Sequence, residues 1–153
     1  MKTVAEIMDA APIVVAPETD VETVVRTLKE HELPGVPVVN DGGRLVGIVT
    51  EADLVITDDD ENPVSLRHYI ELFGGVIFVE SLHHYEARLR KAFAAAAGDM
   101  MSEDVDTIAP DATAQDAAKL ISQSGHNRIP VVEHGRLVGV VTRVDVLQAL
   151  AGE

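Results

Sequence analysis

Gly43-Arg44-Leu45-Val46-Gly47-Ile48-Val49-Thr50-Glu51-Ala52-Asp53 returns later in the chain as Gly135-Arg136-Leu137-Val138-Gly139-Val140-Val141-Thr142-Arg143-Val144-Asp145. Each copy follows a Pro-Val-Val, Pro37-Val38-Val39 in the first and Pro130-Val131-Val132 in the second. A duplication of this length means that one supersecondary unit is built twice. The match extends upstream. Val14-Val15-Ala16-Pro17 answers Thr107-Ile108-Ala109-Pro110, and Met8 answers Met101. The spacing between copies changes by one residue where Asp41-Gly42-Gly43 becomes His134-Gly135, a Gly-containing turn in which length variation costs little.

Within a copy the local signals agree. Ile13-Val14-Val15 is a short β-rich run that ends near a proline. Val21, Val24, Val25 and Leu28 follow at the spacing of one helix face, as do Ala114, Ala117, Ala118 and Ile121 in the second copy. Thr19 with Glu22, and Thr113 with Asp116, are spaced as capping boxes for those helices. Two apolar strands, Val36–Val39 and Leu45–Val49, are joined as a hairpin. A last helix is expected just after Thr50 and, in the second copy, after Thr142. Each copy therefore reads β-α-β-β-α. The chain is expected to be α/β (α+β), with two such repeats packed about a pseudo-two-fold axis. The expected divisions are 1–56 for the first repeat, 57–97 for a mainly helical insertion and 98–153 for the second repeat. A half of about 50 residues buries too little surface to stand alone, so the halves should fold against each other.

The insertion opens with Asp58-Asp59-Asp60-Glu61, the pattern of a solvated loop. It continues with apolar residues at helical spacing, broken at Gly74-Gly75. All the aromatic residues of the chain lie in it: Tyr69, Phe73, Phe78, Tyr85 and Phe93. Aromatics concentrate at protein–protein interfaces, which points to a homodimer contact. A satellite core between insertion and repeats accounts for the same pattern.

Composition excludes several function classes. With 26 acidic and 12 basic residues the net charge is −14, which repels a phosphate backbone and argues against nucleic acid as the ligand. No apolar run is long enough to span a membrane, and the N-terminal residues lack a signal-peptide core, so a cytoplasmic protein is expected. The chain has no cysteine and hence no thiolate chemistry. His83-His84 are adjacent and would point apart on a helix, so the six histidines suggest no metal site. Neither a Gly-rich phosphate loop nor a nucleophile elbow is present, and no enzyme activity is expected.

Thr50-x-x-Asp53 and Thr142-x-x-Asp145 are the residues best suited to chemistry. Taken alone, a Thr with an acid three residues on is a capping box. The recurrence of the pair at a strand end that starts a helix also suits a polar ligand, because Asp accepts from vicinal hydroxyls and Thr donates to phosphate.

The doubled Gly-x-Pro-Val-Val or Arg-Ile-Pro-Val-Val, followed by Gly-Arg-Leu-Val-Gly and Thr-x-x-Asp, resembles the CBS-domain pair, or Bateman module. The resemblance covers roughly residues 3–56 and 98–150, including the openings Val4-Ala5-Glu6-Ile7-Met8 and Gly98-Asp99-Met100-Met101. It is similar in plan to small stand-alone bacterial and archaeal members that carry an insertion between repeats. The resemblance implies a non-catalytic regulatory module. An adenine nucleotide (AMP, ADP, ATP or S-adenosylmethionine) would bind between the repeats, and a partner protein would read the change. No other cofactor is implied. Asp53 and Thr50 would hold ribose and phosphate in one site, Asp145 and Thr142 in the other. The base would rest on Val14, Val15 and Val36, or on Thr107, Ile108 and Ile129. Arg128 and Arg143 accompany the second site, where the first has Gly35 and Glu51, so the second is expected to bind an anion more tightly. The alternative is a ligand-independent assembly scaffold that docks through the aromatic insertion.

Overall fold

The computed structural model describes residues 1–57, 63–65 and 95–152. The acidic loop, the expected helices of the insertion, its histidine pair and its five aromatic residues lie outside them. The elements in order are α1 (Val4–Ile7), α2 (Val21–Glu30), β1 (Gly35–Val39), β2 (Leu45–Thr50), a 3-10 turn (Glu51–Leu54), β3 (Val55–Thr57), β4 (Pro63–Ser65), α3 (Ala97–Met100), α4 (Ala114–Ser124), β5 (Arg128–Glu133), β6 (Arg136–Thr142) and α5 (Arg143–Ala151). Strands pair as β1-β2, β3-β4 and β5-β6. Among the described residues, no helix is long and apolar enough to cross a membrane.

The repeats are contiguous in sequence; the packed units are not. One unit joins Met1–Ile13 and Val39–Leu45 to Asp104–Glu153, and the other joins Val14–Val38 to Val46–Glu103. Each opening segment therefore packs with the body of the other repeat.

In the first unit Val4 donates its N–H to the Ala112 carbonyl at 2.7 Å, and Ala114 donates to Lys2 at 3.0 Å. Val4 is fully buried in a core with Ala117, Ile121, Ile129, Val131, Val141 and Val146. Each valine or isoleucine of that core taken out of water contributes about 1.5–3 kcal/mol, before the entropy of ordering it. Strand β5 runs antiparallel to β6, from Arg128 opposite Thr142 to Glu133 opposite Arg136, with an irregularity between Val131 and Val132. The connecting residues His134 and Gly135 both have positive φ (53° and 82°), the geometry of a two-residue hairpin turn.

The second unit repeats the plan. Ala97 donates to the Thr19 carbonyl at 2.7 Å and Val21 to Ala95 at 2.9 Å. Val21, Val24, Val25 and Leu28 are buried, so α2 presents the face that its spacing predicts. The stretch 40–44 that joins β1 to β2 belongs to the first unit and is one residue longer than the matching stretch 133–136. Asn40 closes it, its side-chain oxygen accepting from Gly42 and Arg44 N–H, both at 3.0 Å.

Three local expectations differ from the structure. The first strand of each copy shortens to a single parallel bridge, Val15 with Val38 and Ile108 with Val131. The cap of α2 is Asp20, which accepts from Thr23 N–H at 2.7 Å; Thr19 instead accepts from Ala16 N–H at 3.0 Å. The Asp20 carboxylate is the stronger acceptor, so the helix starts one residue later than the Thr19–Glu22 spacing suggests. The last helix of the first copy is a 3-10 turn that gives way to β3, whereas α5 runs through nine residues. Val55-Ile56-Thr57 is β-branched throughout and favours a strand, while Val146-Leu147-Gln148-Ala149-Leu150 is mostly good helix former.

Candidate functional site

Strand β2 ends at Thr50, and strand β6 ends at Thr142. In both units the next residue is anchored to the stretch before the preceding strand: Glu51 N–H donates to Pro34 at 3.1 Å, and Arg143 N–H to Asn127 at 2.8 Å. These bonds turn the chain out of the sheet and set the Asp three residues beyond each Thr.

The two pairs then diverge. Around Asp145 the capping box is complete. Thr142 N–H donates to Asp145 Oδ2 at 2.9 Å, and Asp145 N–H donates to Thr142 Oγ1 at 3.2 Å. Asp53 Oδ2 accepts from Thr50 N–H at 2.9 Å and also from the Thr50 hydroxyl at 3.2 Å. Its Oδ1 accepts from the Ser102 hydroxyl at 3.1 Å. The capping reading therefore holds for Thr142–Asp145, while Asp53 is a carboxylate that accepts from two hydroxyls within a single 3-10 turn.

The second-copy residues lie together in one unit. Arg128 pairs with Thr142 in the sheet, Ile129 pairs with Val141, and Ile108 runs beside Pro130–Val132. Thr107 is exposed and Ile108 and Arg128 are half-buried, whereas Ile129 is 1% exposed and belongs to the core. Arg143 is exposed, with Nη1 3.5 Å from Asn127 Oδ1. It lines a groove of about 300 Å³ between α4 and α5, with Ala118, Ile121, Asn127, Val146 and Leu150 among its neighbours. In this rotamer its guanidinium is turned toward Asn127.

The first-copy residues lie together in the other unit. Val15 and Val36 are 7% and 0% exposed and belong to the core, so of the three only Val14, at 41%, stands out where a base could rest. Gly35 has no room for a side chain: a Cβ there would come within 3.0 Å of the Val49 carbonyl. The contrast with Arg128 thus reflects packing against β2.

Ser102 was not singled out by the sequence, although the repeat contains the signal. It follows Met101 as Asp9 follows Met8. Ser102 bridges Ile48 and Asp9 bridges Val140, and Ile48 and Val140 are matching residues of the duplicated stretch. The glycine just before each, Gly47 or Gly139, lies within a strand. It is also a clearance: a Cβ on Gly47 would meet Met101 Sδ at 2.5 Å and the Ser102 carbonyl at 2.9 Å. One on Gly139 would meet Met8 Sδ at 2.5 Å and the Asp9 carbonyl at 2.7 Å.

Comparison with known proteins follows this duplication. A family model described as CBS domain matches residues 4–60 and again 97–152. An uncharacterized protein of Methanocaldococcus jannaschii is 33% identical over 144 residues, 91% of this chain and 86% of that protein. The chloroplastic CBS domain-containing protein CBSX2 of Arabidopsis thaliana is 29% identical over 138 residues, 89% of this chain and 57% of that protein. A crystal structure of CBSX2 in complex with AMP matches with a TM-score of 0.70 at 25% identity, covering 99% of this chain and 98% of that one.

Proposed function

Because this chain belongs to the CBS-domain family and carries two repeats, we propose that it is a non-catalytic regulatory module that binds an adenine nucleotide. The observation that carries the reading is the paired Thr-x-x-Asp. Each copy holds an Asp carboxylate at the end of a strand, beside a Thr that is itself a hydrogen-bonding group. A carboxylate in that position can accept from the two hydroxyls of a ribose, and the start of α5 with the Thr142 hydroxyl suits a phosphate. The AMP complex of a similar protein supports adenosine as the recognised part. Arg143 is exposed, and a rotamer change on the nanosecond scale can redirect its guanidinium toward an anion.

Binding alters a partner only through different affinity for two arrangements of the protein. A regulated protein and a homodimeric state complete the proposal, and sedimentation velocity with and without nucleotide reads the second. The direct test is titration calorimetry with AMP, ADP, ATP and S-adenosylmethionine. We expect at least one to bind, and Asp145→Ala to abolish the heat. Absence of binding by all of them at millimolar concentration overturns the reading.

A further inference from the structure

We infer that Ser102 latches the first ribose site shut, so that only the Asp145 site takes a nucleotide. This inference rests on the proposed function and concerns which of its two carboxylates is available.

An ionised carboxylate offers about four acceptor positions. Thr50 N–H, the Thr50 hydroxyl and the Ser102 hydroxyl occupy three of those on Asp53. A vicinal diol needs two. Asp145 accepts from Thr142 N–H, and its Oδ1 takes no hydrogen bond among the described residues. It can therefore receive both ribose hydroxyls. The threonines differ in the same sense. The Thr50 hydroxyl gives its hydrogen to Asp53, while Thr142 Oγ1 accepts from Asp145 N–H and keeps its hydrogen for a phosphate oxygen.

The latch is held in place by backbone. Ser102 exchanges two hydrogen bonds with Ile48, at 2.9 and 3.0 Å, which fixes its Cα beside β2. Asp9 occupies the matching place in the other unit, exchanging two bonds of 2.9 Å with Val140. Its side chain is a carboxylate, which has no hydrogen to give Asp145, and it accepts from Ala11 N–H at 3.0 Å. One residue difference between copies, Ser against Asp, thus decides which carboxylate is available.

Calorimetric titration with AMP tests this on the full chain. The wild type is expected to bind one equivalent, and S102A two. S102T keeps the hydroxyl and should return to one, which a loss of local structure would not do. D145A should lose its equivalent, and S102A/D145A should bind one through Asp53. Ser102 is exposed, so none of its substitutions opens a cavity. Two equivalents in the wild type, or one in S102A with none in S102A/D145A, overturn the latch and leave the nucleotide reading standing. No AMP bound by either wild type or S102A overturns both.

Discussion

Leu45 donates its backbone N–H to the Gly135 carbonyl at 3.1 Å, and Leu137 returns the bond to Gly43 at 3.0 Å. The duplicated Gly-Arg-Leu segments are thus hydrogen-bonded to each other, with Arg44 opposite Arg136 in an antiparallel bridge. The guanidinium of Arg44 lies over Gly135 and reaches the His134 carbonyl at 3.4 Å. Pairing of matching residues follows from the duplication, since two like segments in antiparallel register present each donor to the other's acceptor.

Gly135 therefore meets two demands, a φ of +82° and room for the Arg44 guanidinium. Gly135→Ala should destabilise the protein by about 1–2 kcal/mol, the cost of a Cβ in the left-handed region. A lower urea midpoint at unchanged slope would show it.

Gly47→Ala and Gly139→Ala should each cost about 1–3 kcal/mol, because the added methyl meets a neighbouring carbonyl as well as a methionine. The methionine can move aside; the bridged backbone at Ser102 or Asp9 cannot without giving up its bonds to Ile48 or Val140. Thermal unfolding of the two variants checks this, and comparable losses are expected because the contacts match.

Thr142→Ala removes the cap acceptor of a nine-residue helix and should cost about 1 kcal/mol. Thr50→Ala precedes only a single 3-10 turn and should cost less. Urea titration of the pair measures the difference, and equal losses would contradict it.

Asp20 and Asp116 have pKa values held below the ordinary 3.8, chiefly by hydrogen bonds from the backbone N–H of Thr23 and Thr113. A carboxyl whose folded pKa is depressed adds stability above its unfolded pKa, and that stability is lost as pH falls through the folded value. The urea midpoint of the wild type should therefore decline below about pH 4. In D20N/D116N, where the side-chain oxygens can still accept the N–H bonds of Thr23 and Thr113 but do not titrate, that decline should be smaller.

Much of the fold can be read from neighbours in sequence. The buried face of α2 follows from the spacing of Val21, Val24, Val25 and Leu28, and the Thr113–Asp116 box of α4 from two residues three apart. The one-residue change of spacing between copies falls in the hairpin turn where the glycines placed it. Competition between near-equal local signals is harder to read. Thr19 and Asp20 both suit a cap, and the choice depends on which acceptor is stronger once Ala16 N–H also needs a partner. The end of the first copy is similar: Thr50-x-x-Asp53 announces a helix, and the β-branched residues after it convert that helix into a turn and a strand.

Duplication, hairpins, helix faces and the two Thr-Asp pairs were determined by sequence alone, because periodicity and turn chemistry act over a few residues. Only the tertiary structure decided which body each opening segment joins. Val4 is buried against Ala117 and Ile129, more than 100 residues along the chain, and no local pattern encodes that choice. The same exchange carries Ser102 to Asp53 and Asp9 to Val140. Sequence made the two carboxylates look alike; contacts between segments distant in the chain made them different.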